Sequence, residues 1–180
     1  MKKSILTAFI ALALAVPSFA EIIEIVGKVG VGGNSKIENN GHSQDLNSPF
    51  IVGAEGYLYL LPSVGLGAGI SNVFDAELQE SGGIDVGFTN VYFSVKPKIG
   101  FIANVYLLGQ IGYGLARVSE VYEKENGIYW GVGAGVELSS FLVELVYSNN
   151  KFKVTPDEVT PSVDITHSMI ALNVGYRLSI

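Results

Sequence analysis

The chain has 180 residues, which is enough for one domain, and its 17 acidic and 11 basic side chains give a formal net charge of −6. An acidic chain without a basic patch argues against nucleic-acid binding. The sequence contains no cysteine, which excludes disulfides and thiolate metal sites and makes an oxidising compartment harmless.

The first twenty residues are typical of a cleavable export signal. Two lysines precede an apolar run from Ile5 to Val16, and the small residue Ala20 ends the segment. The apolar run is too short for a membrane-spanning helix, which needs about 20 residues. We therefore expect residues 1–20 to be removed, with an uncleaved anchor as the alternative. The mature chain, residues 21–180, would be one domain.

After the signal, apolar residues alternate with glycine and polar residues. Val64, Leu66 and Ala68 alternate with Gly65, Gly67 and Gly69, for example. Successive side chains of a strand point to opposite faces, so this alternation predicts strands, and the repeated glycines disfavour helix. In chain order the predicted strands are 22–33, 50–61, 63–74, 87–97, 104–117, 128–139, 141–150 and 167–180.

Short and long connections alternate along the chain. The predicted short turns are 61–63, 97–103 and 139–140, and the predicted long loops are 34–49, 75–86, 118–127 and 151–166. Short turns at one end and longer loops at the other are typical of outer-membrane barrels. Because lipid offers backbone groups no hydrogen-bonding partner, strands can cross a membrane only as a closed barrel.

The composition of the two strand faces distinguishes a membrane barrel from a soluble one. One face is a uniform band of Val, Leu, Ile and Ala, and the other is mainly Gly, Ser, Ala and Asn with a few charges. Apolar side chains directed at lipid and small ones directed into a narrow lumen account for both. The sequence thus predicts an all-β fold, an eight-stranded antiparallel up-and-down transmembrane β-barrel in the cell outer membrane.

One predicted strand has an irregular phase. Val86 and Phe88 lie on the opposite face from Val91, which predicts either a β-bulge near Thr89 and Asn90 or a later start of the strand.

Aromatic residues are predicted to face outward near both membrane surfaces. Phe50, Tyr113 and Trp130 lie near the loop end, and Phe93 and Tyr176 lie near the turn end. Aromatic girdles are expected at both interfaces, although strands favour aromatic residues in general.

Seven charged residues fall on the inward face of the predicted strands. They are Glu24, Lys28, Glu55, Lys96, Glu137, Glu144 and Arg177. Counting from the turns puts Lys28 and Glu55 about one layer above the other five. Such charges should pair within a low-dielectric lumen, which predicts a polar plug. The alternative is an ion gate in which the pairs exchange.

The end of the chain is similar to a known assembly signal. Gly175 is followed by Tyr176, Leu178 and Ile180 in alternation. With the strand pattern, this ending resembles the small outer-membrane β-barrel family that includes the OmpA transmembrane domain and OmpX. The resemblance implies recognition by the barrel-assembly machinery, and lipid and lipopolysaccharide as surroundings. The family's usual last residue is aromatic, whereas this chain has Ile180.

The loops are acidic and contain no evident catalytic or metal-binding set. Their carboxylates could bridge divalent cations to lipopolysaccharide, or could simply form a solvated rim. His42 precedes Ser43 and His167 precedes Ser168. Adjacent strand residues face opposite ways, so His167 and Ser168 do not form a pair by themselves, and the sequence has no Gly-x-Ser-x-Gly elbow. We expect no cofactor and no enzymatic activity.

Three functions stay open at this point. The first is a non-enzymatic barrel that anchors surface loops for envelope integrity, surface interaction or adhesion. The second is a narrow porin-like channel, and the third is a lipid A-modifying enzyme. The sequence does not identify an extracellular ligand.

Overall fold

The computed structural model describes residues 23–39, 42–45, 47–61, 63–77, 85–99, 104–118, 123–155 and 163–180. The predicted export signal lies outside these residues, so its removal stays a prediction. The strands are β1 (Ile23–Asn39), β2 (His42–Asp45), β3 (Phe50–Leu61), β4 (Val64–Glu77), β5 (Asp85–Ile99), β6 (Asn104–Val118), β7 (Glu123–Leu138), β8 (Phe141–Thr155) and β9 (Val163–Ser179). No helix in these segments is long and apolar enough to cross a membrane.

Eight antiparallel strands form a closed barrel, as predicted. From β3 to β9 each strand pairs with the next one in the chain, and β1 pairs with both β3 and β9. A short ninth strand, β2, was not predicted. It forms a hairpin with the upper part of β1, in which Lys36 pairs with Asp45. The closed order leaves every long strand with a partner on each side over the membrane-spanning part, as lipid requires.

The strands are longer at the loop end than the sequence predicts. β1 continues to Asn39, β4 to Glu77 and β8 to Thr155, all within predicted loops. The prediction was wrong here because it required alternation of apolar and polar residues. A strand that rises above the membrane has no lipid on its outer face, so hydrogen bonding continues after the alternation ends.

The outward face of the barrel has the predicted apolar composition, and the predicted charges lie on the inward face. Leu66, Val132 and Leu172 face outward and are 43%, 53% and 48% exposed, where lipid would cover them. Glu55 and Glu137 are buried in the lumen. The prediction that apolar side chains face outward and that the charged ones face the lumen is therefore confirmed. The lumen also contains large apolar side chains that were not predicted there, among them Phe88, Leu108 and Leu142.

Both predicted explanations of the irregular phase are wrong: β5 has no bulge near Thr89 and Asn90, and it begins earlier than predicted, at Asp85. β5 pairs in continuous register with β4 from Phe88 to Pro97, and Phe88 is buried in the lumen with the inward phase of Tyr92. The register shift lies instead on β4, between Val73 and Ala76. An apolar side chain can face inward here because the lumen contains an apolar cluster at this height.

The outward side chains mark where the membrane ends. On β9 the outward residues from Leu178 back to Ile170 are apolar, and Ser168, Thr166 and Asp164 follow them. Residues 163–168 therefore lie above the apolar band at the loop end.

The five predicted girdle aromatics do face outward. Two aromatic pairs lie on the outer face, one at the turn end and one at the loop end. Phe141 packs on Tyr176 with ring centroids 5.3 Å apart, and Phe50 lies 6.1 Å from Phe74.

Candidate functional site in the barrel lumen

The lumen holds all seven charged residues that the sequence assigns to the inward face. Six of them are buried, and the Arg177 side chain is 18% exposed. Together with Lys98, which was not predicted, they form two groups at different heights. The turn-end cluster contains Glu24, Lys96, Lys98, Glu137 and Arg177, and the mid-barrel cluster contains Lys28, Glu55 and Glu144.

The turn-end cluster joins four strands across the lumen. Lys96 Nζ lies 2.7 Å from a carboxylate oxygen of both Glu24 and Glu137. Lys98 Nζ is 3.2 Å from the second oxygen of Glu137, and Arg177 donates to that oxygen at 2.8 Å. Arg177 also donates to the backbone carbonyl of Ser139 at 2.9 Å, in the turn between β7 and β8. These bonds tie β1, β5, β7 and β9 together.

The mid-barrel cluster centres on one ammonium group. Lys28 Nζ lies 2.7 Å from Glu55 Oε1 and 2.8 Å from Glu144 Oε2. The sequence prediction that places Glu144 in the lower layer is wrong. Counting residues from the turn ignores the tilt of barrel strands. Because the strands are tilted, residues at the same count from the turn lie at different heights on different strands.

Tyrosines supply most of the remaining donors to the carboxylates. Tyr57 and Tyr92 donate to Glu55 at 2.7 and 2.8 Å, and Tyr106 donates to Glu144 at 2.8 Å. Lys96 Nζ lies 4.3 Å from the ring centroid of Tyr106, so this ring separates the two clusters. Such cation–π contacts stabilise a desolvated ammonium group.

These tyrosines were not predicted, and neither were Lys98 and Gln110, whose side-chain amide donates to Glu55 Oε1 at 2.9 Å. The prediction covered only charged residues on the inward face and placed Lys98 in a turn. The signal was available, because Tyr57, Tyr92 and Tyr106 have the inward phase, and a buried carboxylate needs donors at both oxygens.

An apolar cluster, here called the loop-end plug, fills the lumen at the other end. Its members are Ile51, Val73, Phe88, Ala116, Phe152, Met169 and Ala171. The Phe88 ring packs edge-on against Phe152, with centroids 5.4 Å apart, and stacks on the His167 imidazole at 4.6 Å. The lumen is thus closed by charged pairs at one end and by apolar packing at the other.

His167 contacts a serine on β1 that was not among the predicted site residues. Its Nε2 lies 2.8 Å from Ser35 Oγ, while Ser168 is on the opposite face. His167 Nδ1 has no hydrogen-bonding partner among the described residues. Burial lowers the pKa of His167 to about 4, so the imidazole is neutral. A serine and a histidine are therefore paired, but no described acid orients the imidazole. The His42 side chain lies outside the part of the chain that the structure describes.

A metal centre built from ordinary ligand groups does not occur in the described segments, where no three His, Cys, Asp or Glu side chains are arranged around a common point.

The residues of the predicted assembly signal lie at the turn end of β9. Tyr176, Leu178 and Ile180 are exposed on the outer face. Gly175 faces the lumen, where an added Cβ would lie 2.9 Å from the Leu142 side chain and 3.0 Å from the Gly27 carbonyl oxygen. Packing explains this glycine, and the role of the segment in assembly stays a prediction.

Comparison with known proteins gives one family and several similar structures. A family model described as "Outer membrane protein beta-barrel domain" matches residues 6–178. Ail, the attachment invasion locus protein of Yersinia pestis, has 15% identity and a TM-score of 0.53 over 89% of this chain and 100% of that chain. Neisserial surface protein A has 10% identity and a TM-score of 0.56 over 88% and 99%.

A second structure of Ail, in complex with the heparin analogue sucrose octasulfate, has 19% identity and a TM-score of 0.50 over 87% of this chain and 99% of that chain. No protein with a curated description matches the sequence. At these identities the structural similarity shows a shared fold.

Proposed function

We propose that this chain, which belongs to the outer membrane protein beta-barrel domain family and resides in the outer membrane, is a plugged, non-enzymatic anchor. It holds strand extensions and loops at the cell surface for surface interaction or envelope integrity. The observation that carries the proposal is the closure of the lumen at three heights. These are the turn-end cluster, the mid-barrel cluster and the loop-end plug.

The packing of the lumen supports an anchor over a channel. A permeating ion would have to displace Lys96 from two carboxylates, then Lys28 from two more, and then pass between Phe88 and Phe152. Breaking a buried ion pair costs about 3–5 kcal/mol. Side chains are expected to fill an eight-stranded barrel, and these residues do so.

The same packing argues against an enzyme. Ser35 and His167 are both buried, and the loop-end plug lies beside them. A hydrolase needs its nucleophile, base and orienting acid to converge at a point that substrate can reach. We therefore infer a structural role for this pair, in which the hydroxyl satisfies one ring nitrogen.

The surface near the outer edge of the apolar band suits an anionic lipid head group. Lys151 is exposed and pairs with Ile128, an outward apolar residue that is 58% exposed. Arg117 is exposed at the top of β6, over the ring of Phe74. Lysine and arginine at this height would contact lipopolysaccharide phosphates. The acidic net charge of the chain does not favour a heparin-like polyanion as its ligand.

Conductance tests the plug directly. We expect the purified protein, folded and inserted into planar bilayers, to show no discrete openings in potassium chloride. Heat-modifiable gel mobility should accompany each trace and confirm that a folded barrel was present. Regular openings that scale with the amount of folded protein would establish the channel instead.

Topology can be tested with single cysteines, since the chain has none of its own. We expect Lys151→Cys to react with a membrane-impermeant maleimide on intact cells. The matched variant is Ser63→Cys, at an exposed position in the turn between β3 and β4. It should react only after the outer membrane is permeabilised. The reverse pattern would contradict the proposed orientation.

The mass of lipid A tests the non-enzymatic assignment. An unchanged lipid A mass on expression of the protein would support it.

A further inference from the structure

The outer face of the barrel carries an arginine whose direction is fixed by two contacts. Arg117 lies on the outward face of β6, near the loop end, and is exposed. Its Nη2 donates to the Val73 carbonyl oxygen on β4 at 3.3 Å. Its guanidinium carbon lies 6.0 Å from the centroid of the Phe74 ring. The side chain therefore reaches across β5, the strand between β6 and β4.

A glycine leaves room for this crossing. Gly87 is the β5 residue opposite Arg117, and it is buried although it has the outward phase of Thr89. Side chains at opposite positions of neighbouring strands lie about 5 Å apart, so a larger residue at position 87 would stand in the path of the arginine. Phe74 then provides an aromatic ring on which the guanidinium is stabilised.

The guanidinium keeps most of its hydrogen-bonding capacity. Arginine has several N–H donors in a planar fork that matches a phosphate or a carboxylate, and one bond to a backbone carbonyl leaves most of them available. Among the side chains that the structure describes, no carboxylate forms an ion pair with Arg117. The side chains of Asp75, Glu77 and Asp85, higher on β4 and β5, lie outside that description. A fixed and unpaired guanidinium indicates an anion from outside the chain.

A hydrogen-bonded polar pair lies just below the arginine on the outer face. Asn72 precedes Val73 on β4, and Thr89 is the residue opposite Asn72 on β5. Thr89 Oγ1 donates to Asn72 Oδ1 at 2.7 Å, so the amide can offer its Nδ2 group as a donor. The outward residues beside and below this pair are apolar, namely Val52, Leu115, Ile70 and Val91.

The arginine and the polar pair lie at the depth of lipid head groups. Phe74, under the guanidinium, lies 6.1 Å from the girdle residue Phe50, measured between ring centroids. Aromatic girdles mark the interface between hydrocarbon and head groups. From the loop end downward, this surface offers a cation, an amide donor and then apolar side chains. A phosphorylated and acylated lipid has the complementary order of phosphate, acyl carbonyl and hydrocarbon.

The arginine seat is the outward surface formed by Asn72, Phe74, Thr89 and Arg117. We propose that it binds one molecule of lipid A, the phosphorylated and acylated glucosamine lipid that anchors lipopolysaccharide. Arg117 binds a phosphate, Asn72 Nδ2 donates to an acyl carbonyl, and the chains lie along the apolar residues below. This inference rests on the orientation in the proposed function, in which the loop end faces the outer leaflet. It adds a defined site to the general attraction between surface cations and lipopolysaccharide.

Lipid retention tests the arginine seat directly. We expect native mass spectrometry of the full folded protein, released from micelles after incubation with lipid A, to show one strongly retained molecule. Arg117→Ala should weaken retention about tenfold or more, the effect of losing a charge-assisted hydrogen bond. Dephosphorylated lipid A should be retained by the wild type about as weakly as lipid A is by Arg117→Ala.

Two outward threonines supply a matched pair of variants. Thr89 and Thr166 are both half-buried on the outer face near the loop end, and Thr89 is the one that holds the Asn72 amide. Thr89→Val should weaken the retention of lipid A several-fold, because the amide is no longer held in position, whereas Thr166→Val should leave retention unchanged. Heat-modifiable gel mobility would show that each variant is folded before lipid is added.

Three results would overturn the arginine seat. The first is equal retention by wild type and Arg117→Ala, and the second is equal retention of lipid A and phosphatidylglycerol by the wild type. The third is retention that EDTA abolishes in both proteins alike, which would assign the phosphates to divalent cations bridged by loop carboxylates. A conducting barrel that retains lipid A would overturn only the anchor proposal, and a silent barrel that does not retain it would overturn only the seat.

Discussion

The two ends of the lumen are closed by different kinds of interaction. In the turn-end cluster, buried carboxylates of Glu24 and Glu137 face Lys96 at 2.7 Å, and Arg177 adds a further bond. At the loop end, Phe88 packs on Phe152 and His167, and several nearby amide groups have no partner among the described residues. The same barrel wall therefore supports closure by buried ion pairs at one end and by apolar packing at the other. Charged closure depends on complementary partners, whereas apolar closure depends on volume.

Removing one cation should therefore have the largest effect of any single change. We expect Lys28→Met to lower the free energy of unfolding by about 3–5 kcal/mol, because it leaves Glu55 and Glu144 buried without an ammonium partner. Urea unfolding in micelles, followed by the fluorescence of the single tryptophan, would measure the loss. The matched control is Lys36→Met, whose pair with Asp45 is exposed and should contribute less than about 1 kcal/mol. Equal losses would mean that burial does not set the strength of these pairs.

Removing volume tests the other closure. Phe88→Ala should cost about 3 kcal/mol, since it opens a cavity among Phe152, His167 and their neighbours. Phe93 lies on the same strand but faces outward and is 73% exposed. Phe93→Ala should cost much less in the same unfolding measurement. If the two alanine variants were equally stable, the loop-end plug would not be a packed structure.

Acid should weaken the loop end through His167. Burial lowers the pKa of this imidazole from 6.5 to about 4. Between these two pH values, His167 is protonated in the unfolded chain and neutral in the folded one. The resulting stability is complete above pH 6.5 and is lost as the pH falls toward 4, by at most about 3 kcal/mol.

Comparing the pH dependence of unfolding between wild type and His167→Gln isolates this contribution. The variant should lack that part of the slope, whatever its stability at neutral pH. Identical slopes would show that the histidine is not protonated on unfolding.

The smallest effect is expected at the exposed edge of the turn-end cluster. Arg177→Ala should cost about 1–2 kcal/mol, because Glu137 keeps Lys96 and Lys98 as partners. Thermal melting in detergent would detect it. An exposed arginine at the other end, Arg117, supplies the control variant Arg117→Ala. A loss as large as that of Lys28→Met would mean that Arg177, rather than Lys96, holds the turn end together.

The sequence predicts the barrel well because lipid imposes a simple rule on every strand. Phe50 and Val132 had to face outward, and within each strand that phase fixes the inward position of Glu55 and Glu137. Heights within the lumen do not follow from phase, since they depend on strand tilt, and Glu144 was misplaced for this reason. Phe88 was misread because an inward aromatic breaks the simple pattern. Ser35 and His167 were not connected, because their contact joins residues far apart in the chain across the β1–β9 pairing.

That β1–β9 pairing has a consequence for how the barrel is made. The seam runs from Glu24 opposite Ser179 to Asn39 opposite Ile165, so its partners are separated by most of the chain. Contacts of such long range form slowly, because the entropy cost of closing a large loop comes before the first stabilising hydrogen bond. Until then the barrel wall would present two long unpaired edges, which hydrocarbon penalises heavily. The seam should consequently be the last junction to form during insertion.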